Sequence, residues 1–143
     1  IVVMRNAQIA QIGTPRALYD APVDAFVADF IGEANLIACE IVSVDGEMAE
    51  IAVEDYRYRL SSRGLSVGRA QLAVRPARIV IGGDEGVAAT VAKATYVGVR
   101  MEYTLTGAFG QVFAVHENVD DPYEPVTEVR MSFASRGPVL LPA

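Results

Sequence analysis

One cysteine, one histidine, one lysine and no tryptophan occur in the 143 residues of this chain. Each scarcity closes a class of function. A lone Cys39 forms no internal disulfide, and with His116 as the sole histidine no Cys/His zinc cluster can be assembled. The expected setting is a reducing compartment. Lys93 lies between Ala92 and Ala94 rather than after a glycine. The GxxxxGK[ST] phosphate loop, which needs backbone N–H groups and an ammonium together, is therefore absent. No run approaches the roughly 20 apolar residues that a membrane-spanning helix requires, and no basic segment followed by an apolar one opens the chain. Basic residues are also few: 12 Lys and Arg stand against 18 Asp and Glu, a net charge of −6. Such a field repels polyanions, so no nucleic-acid partner is expected.

Four stretches imitate chemistry without completing it. "RIVIGGDE" ends in acidic residues as a Mg²⁺-holding strand does, but Gly82 and Gly83 put Asp84 and Glu85 in a turn. "LSSRG", residues 60–64, replaces with Ser62 and Arg63 the glycines of the LSGGQ signature of transport ATPases. His116, in "AVHEN", has no Cys or Ser nucleophile near it in sequence. Cys39, in "LIACEI", reads as a small buried hydrophobe. No catalytic, cofactor-binding or metal-binding residue is assigned, and the chain by itself is not expected to be an enzyme.

What is present is a change of period. "IVVM" and "QIAQIG" flank Arg5-Asn6-Ala7 as a hairpin. Thr14 before Pro15 predicts a short helix, "PRALYDA". Pro22 predicts the start of a second, in which Val23, Phe26, Val27 and Phe30 form an apolar stripe closed by Gly32 at the C-cap. Beyond it the grammar turns extended. "NLIACEIVSV" and "MAEIAVEDYRYRL" flank a turn at Asp45-Gly46-Glu47, followed by "AQLAV", "RIVI", "GVAATVAKATYV", "RMEYTLT", "QVFAVHE" and "VTEVRMSF". Many short strands at close spacing predict a compact barrel or sandwich, mainly β, and no internal repeat is legible.

"QIGTPRALYDAPVDAFVADFIGEANL", residues 11–36, closely resembles the junction in import-type ABC transporter ATPases between the nucleotide-binding domain and the C-terminal regulatory domain called TOBE. Gln11, Gly13, Thr14, Pro15, Tyr19, Pro22, Phe26, Val27, Ala28, Phe30, Ile31, Gly32, Asn35 and Leu36 match the family pattern. "LAVRPARIVI", "ATYVGVRMEYTL" and "VRMSFASRGPVLL" extend the resemblance along the chain, the last as its final strand. Ala77 stands where the family carries Glu, and Asn6-Ala7 where it carries a turn glycine.

The resemblance implies an OB-like β-barrel of TOBE type over residues 33–143. Residues 1–32 are then the tail of a nucleotide-binding domain with linker helices, and a longer protein is expected to precede Ile1. ATP and Mg²⁺ are implied only for that preceding domain. The resemblance further implies a cytoplasmic subunit, peripheral on the inner face of the cell membrane, that assembles with permease subunits in a polyamine, iron or sugar importer. Two uses of the barrel stay open. One is a regulatory module that holds a homodimer, with Val23, Phe26, Val27 and Phe30 as dimer or interdomain packing residues and a regulator protein as a further partner. The other is a small-oxyanion site with Arg75, Arg78 and Arg100 as its ligands, since an anion needs guanidinium donors in a concave site.

Overall fold

The computed structural model describes residues 1–143. Strands β1 (Val2–Arg5) and β2 (Gln8–Ile12) form a separate antiparallel hairpin around Asn6-Ala7. Both turn residues have positive φ, 53° and 62°, as a two-residue turn matched to right-handed strand twist requires. Asn tolerates that geometry; Ala7 holds its Cβ against the following carbonyl.

Helix α1 (Pro15–Asp20) starts as its caps predict, with Thr14 Oγ1 accepting from the Ala17 N–H at 3.1 Å. Helix α2 (Ala25–Ile31) starts three residues later than Pro22, because Asp24 Oδ1 accepts from the Val27 N–H at 2.9 Å and caps it there. Val23 therefore lies outside the helix and the expected four-residue stripe shrinks to Phe26, Val27 and Phe30. Between the helices, the Gln11 side chain donates to the Ala21 carbonyl at 3.1 Å and accepts from the Val23 N–H at 2.9 Å, tying the link to β2. Gly32 follows α2 with φ 178°, extended rather than left-handed. The helix closes by another device, described below.

The remaining strands are β3 (Asn35–Asp45), β4 (Met48–Val53), β5 (Tyr56–Ser61), β6 (Gly68–Val74), β7 (Ile79–Ile81), β8 (Val87–Tyr96), β9 (Met101–Gly107), β10 (Gly110–His116), β11 (Glu128–Phe133) and β12 (Val139–Pro142). "MAEIAVEDYRYRL" is thus two strands, turned at Glu54-Asp55 with Glu54 at φ 54°, and the expected final strand is also two, β11 and β12. Pairing is antiparallel throughout. One sheet runs β12-β6-β3-β4-β5 and the other β10-β9-β8-β11-β7. In each, the outermost strands come round towards one another, β12 to β5 and β10 to β7, giving a nearly closed OB-like barrel.

The two sheets have the same plan. β3 to β6 in the first correspond to β8 to β11 in the second, and the long first strand of each carries a bulge facing its neighbour, after Ile41 and after Val91. The fifth strand is exchanged: β7 follows β6 in the chain but pairs with β11, while β12 follows β11 but pairs with β6. The repeat that the sequence does not display is a repeat of topology. β3 and β8 share alternation of buried and exposed residues rather than side-chain identity, and a bulge bends each so that its sheet can curl. Inward residues of both sheets make one core, including Ile37, Ile41, Ile51 and Leu72 from the first and Val91, Tyr103, Leu105 and Met131 from the second. Gly86 is required where β8 begins, since at φ 126° a methyl there would overlap the Met131 carbonyl.

The strained turn generates a prediction. Ala7→Gly relieves a left-handed cost of about 1–2 kcal/mol at the expense of a freer unfolded chain, for a net gain of about 0.5–1 kcal/mol. Hydrogen exchange of the β1–β2 amides should slow several-fold; faster exchange in the variant would show that Ala7 is not held in that geometry.

Candidate functional site

In "LAVRPA", Val74 ends β6 fully buried and Pro76 opens a single 3-10 turn, Pro76–Arg78, that carries the chain across to β7. Arg75 sits between them in an extended conformation, with φ −67° and ψ 148°, as the residue before a proline prefers. Its side chain runs under the helices and is 8% exposed. Nη1 donates to the carbonyls of Ala28 at 2.9 Å, Gly32 at 2.7 Å and Glu33 at 3.0 Å, and Nη2 donates to the Tyr19 carbonyl at 3.1 Å. The guanidinium also lies over the Tyr19 ring, 4.1 Å from its centroid.

This is the closure of α2. The last carbonyls of a helix lack partners and carry partial negative charge, and here a cation takes the Ala28 carbonyl with those of Gly32 and Glu33 just beyond the helix, in place of a left-handed glycine. No carboxylate forms an ion pair with Arg75. Burial draws its pKa below the usual guanidinium value, and Tyr19, Asp20 and Asp29 act in the opposite direction. Each bond from a charged donor contributes about 1.5–3 kcal/mol, against a desolvation cost of several kcal/mol for the ion. Removing the partners would leave that cost uncompensated.

The rest of this seam is thin. Ala28 meets Ala73 and Leu141, with Ala25, Ala34 and Val139 around them. On the far side of α2, Val27 packs with Val3 and Leu18 in a separate small core that joins the helices to the hairpin. Phe26 is half-buried beneath Arg5, whose guanidinium is 5.0 Å from the ring centroid, and stacks on Phe30 at 5.8 Å. Phe30 is 64% exposed and Val23 is exposed as well. Of the four expected packing residues, only Val27 is fully covered. The outward face of the hairpin is also apolar, with Ile1, Val2, Met4, Ile9 and Ile12 exposed.

The three arginines singled out as anion ligands are not brought together. Arg75 has both terminal nitrogens engaged internally, because the helix ends offer carbonyls where an anion would have to sit. Arg78 is exposed and its aliphatic stem lies against Gly137, while Arg100 pairs with Glu102 at 2.8 Å in the turn before β9. A concavity of about 280 Å³ beside Glu33 is lined instead by Lys93, Thr95 and Thr104 with Glu33, Glu102 and Phe113. Its two carboxylates oppose the lysine, so its field does not single out an anion. Lys93 is exposed on β8, and Asp84 and Glu85 are exposed in the turn between β7 and β8.

His116 and Cys39 have structural surroundings. His116 Nε2 lies 3.3 Å from the Ile79 carbonyl, and its ring stands edge-on to Tyr103. On the other sheet, Tyr58 donates its hydroxyl proton to the Ala134 carbonyl. β10 thus reaches the first residue of the exchanged strand beside it, and β5 the crossover that leads to the other. Burial, followed by the charge of Glu40, pushes the Cys39 thiol up to about 11, which keeps it protonated and unreactive near neutrality.

Sequence reasoning missed the hub role of Arg75, and it missed Asn35. Asn35 Nδ2 donates to the Phe113 carbonyl at 2.8 Å and its Oδ1 accepts from the Phe113 N–H at 2.9 Å, so one side chain pairs with the outermost strand of the opposite sheet as a backbone would. The available signal was a polar residue at the head of the inward series Asn35, Ile37, Cys39, Ile41.

Residues 72–141 match the TOBE domain family. The whole chain is 41% identical to the Fe(3+) ions import ATP-binding protein FbpC of Rhizobium etli and covers 41% of that protein. Over 99% of its length it is 30% identical to the spermidine/putrescine import ATP-binding protein PotA of Ruegeria pomeroyi, covering 38% of it. The chain therefore spans about two fifths of the length of the curated relatives it matches. Among solved structures, the cytoplasmic molybdate-binding protein ModG, with molybdate bound, aligns with a TM-score of 0.60 at 13% identity. The match covers 74% of this chain and 94% of that one, a likeness of fold.

The Asn35 bridge yields a second prediction. Asn35→Ala leaves the Phe113 N–H and carbonyl without partners at a part-buried site, at a cost of about 2–3 kcal/mol. Urea unfolding should show a lower midpoint with an unchanged slope; an unchanged midpoint would mean that water replaces the side chain without loss.

Proposed function

We infer, on the premise that this chain carries a TOBE domain and is similar along its whole length to ABC importer ATP-binding proteins, that it is the C-terminal regulatory and dimerisation module of such a subunit, joined to the last elements of the catalytic domain. The observation that carries this reading is the one-sided N-terminal unit. Its hairpin and helices are held to the barrel on one side through Arg75 and turn an apolar face outward on the other. Exposed apolar surface of that kind marks an interface. In the longer protein the occupant is the catalytic domain, which binds ATP with Mg²⁺ and couples its hydrolysis to solute uptake through permease subunits at the inner face of the membrane. Identity favours ferric ion over polyamine as the class of solute, 41% against 30%.

Two measurements on the chain test this reading. Titration calorimetry with Mg-ATP should be flat, because no lysine follows a glycine to hold phosphates; saturable micromolar binding would place nucleotide chemistry inside this chain and overturn the division of labour. Light scattering after size exclusion should give twice the 15.3 kDa chain mass, from a homodimer formed by barrel surfaces with Phe30 contributing. Burying one such ring is worth about 1.5–3 kcal/mol, so Phe30→Ser should weaken the dimer roughly tenfold or more while the β-rich circular dichroism persists. A monomer at high micromolar concentration would remove dimerisation from the proposal.

A further inference from the structure

We propose that Arg75 is a mechanical joint: its guanidinium makes the N-terminal unit and the barrel move as one body, and it does so at the crossover where the two sheets exchange a strand. The unit on one side of the joint is held internally by three buried side chains, so its helices open once the joint is cut. Val3, Leu18 and Val27 give it a core, and Gln11 ties the link between its helices to β2. The barrel on the other side has a core of its own that includes none of these residues. Between the two stand alanine side chains, Leu141, Val139 and the guanidinium. Apolar contact through methyl groups specifies little about angle or register. A planar fork that bonds Tyr19 of α1, Ala28 of α2 and Gly32 and Glu33 beyond it, while stacked on the Tyr19 ring, specifies both.

The short connection between the bodies is not a hinge either. Only Gly32, Glu33 and Ala34 separate α2 from β3, and the first two give their carbonyls to Arg75. On its backbone side Arg75 is equally fixed. Its carbonyl accepts from the Arg78 N–H at 2.8 Å within the 3-10 turn, and the Arg78 carbonyl accepts from the Ala134 N–H at 2.8 Å in the other crossover. A displacement of α2 is therefore felt where β6 gives way to β7 and β11 gives way to β12, in both sheets at once. The consequence for a coupled ATPase rests on the reading under Proposed function; the joint itself does not.

Hydrogen exchange followed by mass spectrometry on the 143-residue chain separates the two. In Arg75→Met, which keeps the unbranched apolar stem and removes every side-chain donor, the amides of residues 17–31 should exchange at least tenfold faster. The core amides of β3, β6, β8 and β9 should keep wild-type protection. Arg75→Lys, a point charge without the fork, should fall between the two, and it serves as the deciding variant if the methionine form does not accumulate. Unchanged protection of residues 17–31 in either folded variant overturns the joint. So does loss of barrel protection together with the helices, which would make Arg75 a core residue of the barrel. The dimer and nucleotide measurements can fail without touching either outcome.

Discussion

The exchange of the fifth strand constrains everything else in the barrel. Because β7 leaves the first sheet to complete the second and β12 returns to complete the first, neither sheet has its full set of strands without chain from the other half. The crossover between β6 and β7 is a single turn, so the sheets cannot separate by more than a few residues of chain. Their inner faces consequently share one core rather than holding two. The crossovers are bonded to one another through Ala134 and Arg78; Tyr58 of β5 reaches Ala134, and His116 of β10 reaches Ile79 at the head of β7. Local opening of one half therefore strips partners from the other, which is the condition for cooperative, two-state unfolding.

The same crossover carries the only buried cation of the fold. A lysine would deliver charge there but not a planar fork spread over four carbonyls and stacked on Tyr19, and the carbonyls it left unmet would lie in both helices and just beyond α2. This explains why α2 ends without a left-handed glycine. Gly32 is extended, and a Cβ on it would make ordinary contacts at 3.5 Å with Tyr19 and 3.7 Å with Arg75, so the glycine is tolerated rather than demanded. The proline after Arg75 contributes by fixing the extended geometry from which the side chain can reach the helices.

Features governed by near neighbours were legible in the sequence. Thr14-Pro15 placed α1, alternation placed most strands, and the run from Gln11 to Leu36 identified the family resemblance. Errors arose where a local signal had a stronger local rival or none at all. Pro22 was outcompeted by the Asp24 cap, which moved α2 and dropped Val23 from its stripe. Glu54 adopts positive φ with no glycine to announce it, so one expected strand is two. Arg75 was one of three candidate anion ligands, because a guanidinium beside a proline bend looks available in one dimension. Its partners lie more than forty residues away, and no spacing rule reaches them. The exchange of β7 and β12 is invisible for a related reason: it is a fact about pairing, and neither the alternation of β7 nor the two successive buried leucines of β12 says which sheet the strand joins.

Set together, the exchanged strands and the Arg75 joint decide how the barrel is carried by the N-terminal unit. A barrel on a Gly/Ser-rich linker would sample many orientations and influence its neighbours mainly through local concentration. Here the link is three residues long, two of them bonded by their carbonyls to a buried cation, and that cation sits in the turn that both sheets depend on. Orientation is therefore inherited from the N-terminal unit with little angular freedom. Whatever surface covers the outward face of the hairpin and Phe30 sets the position of both sheets, and anything that binds the barrel acts back on both helices through the same four carbonyls. Such reciprocity is what linkage between two sites requires, and its strength is bounded by the free energy that holds the guanidinium in place.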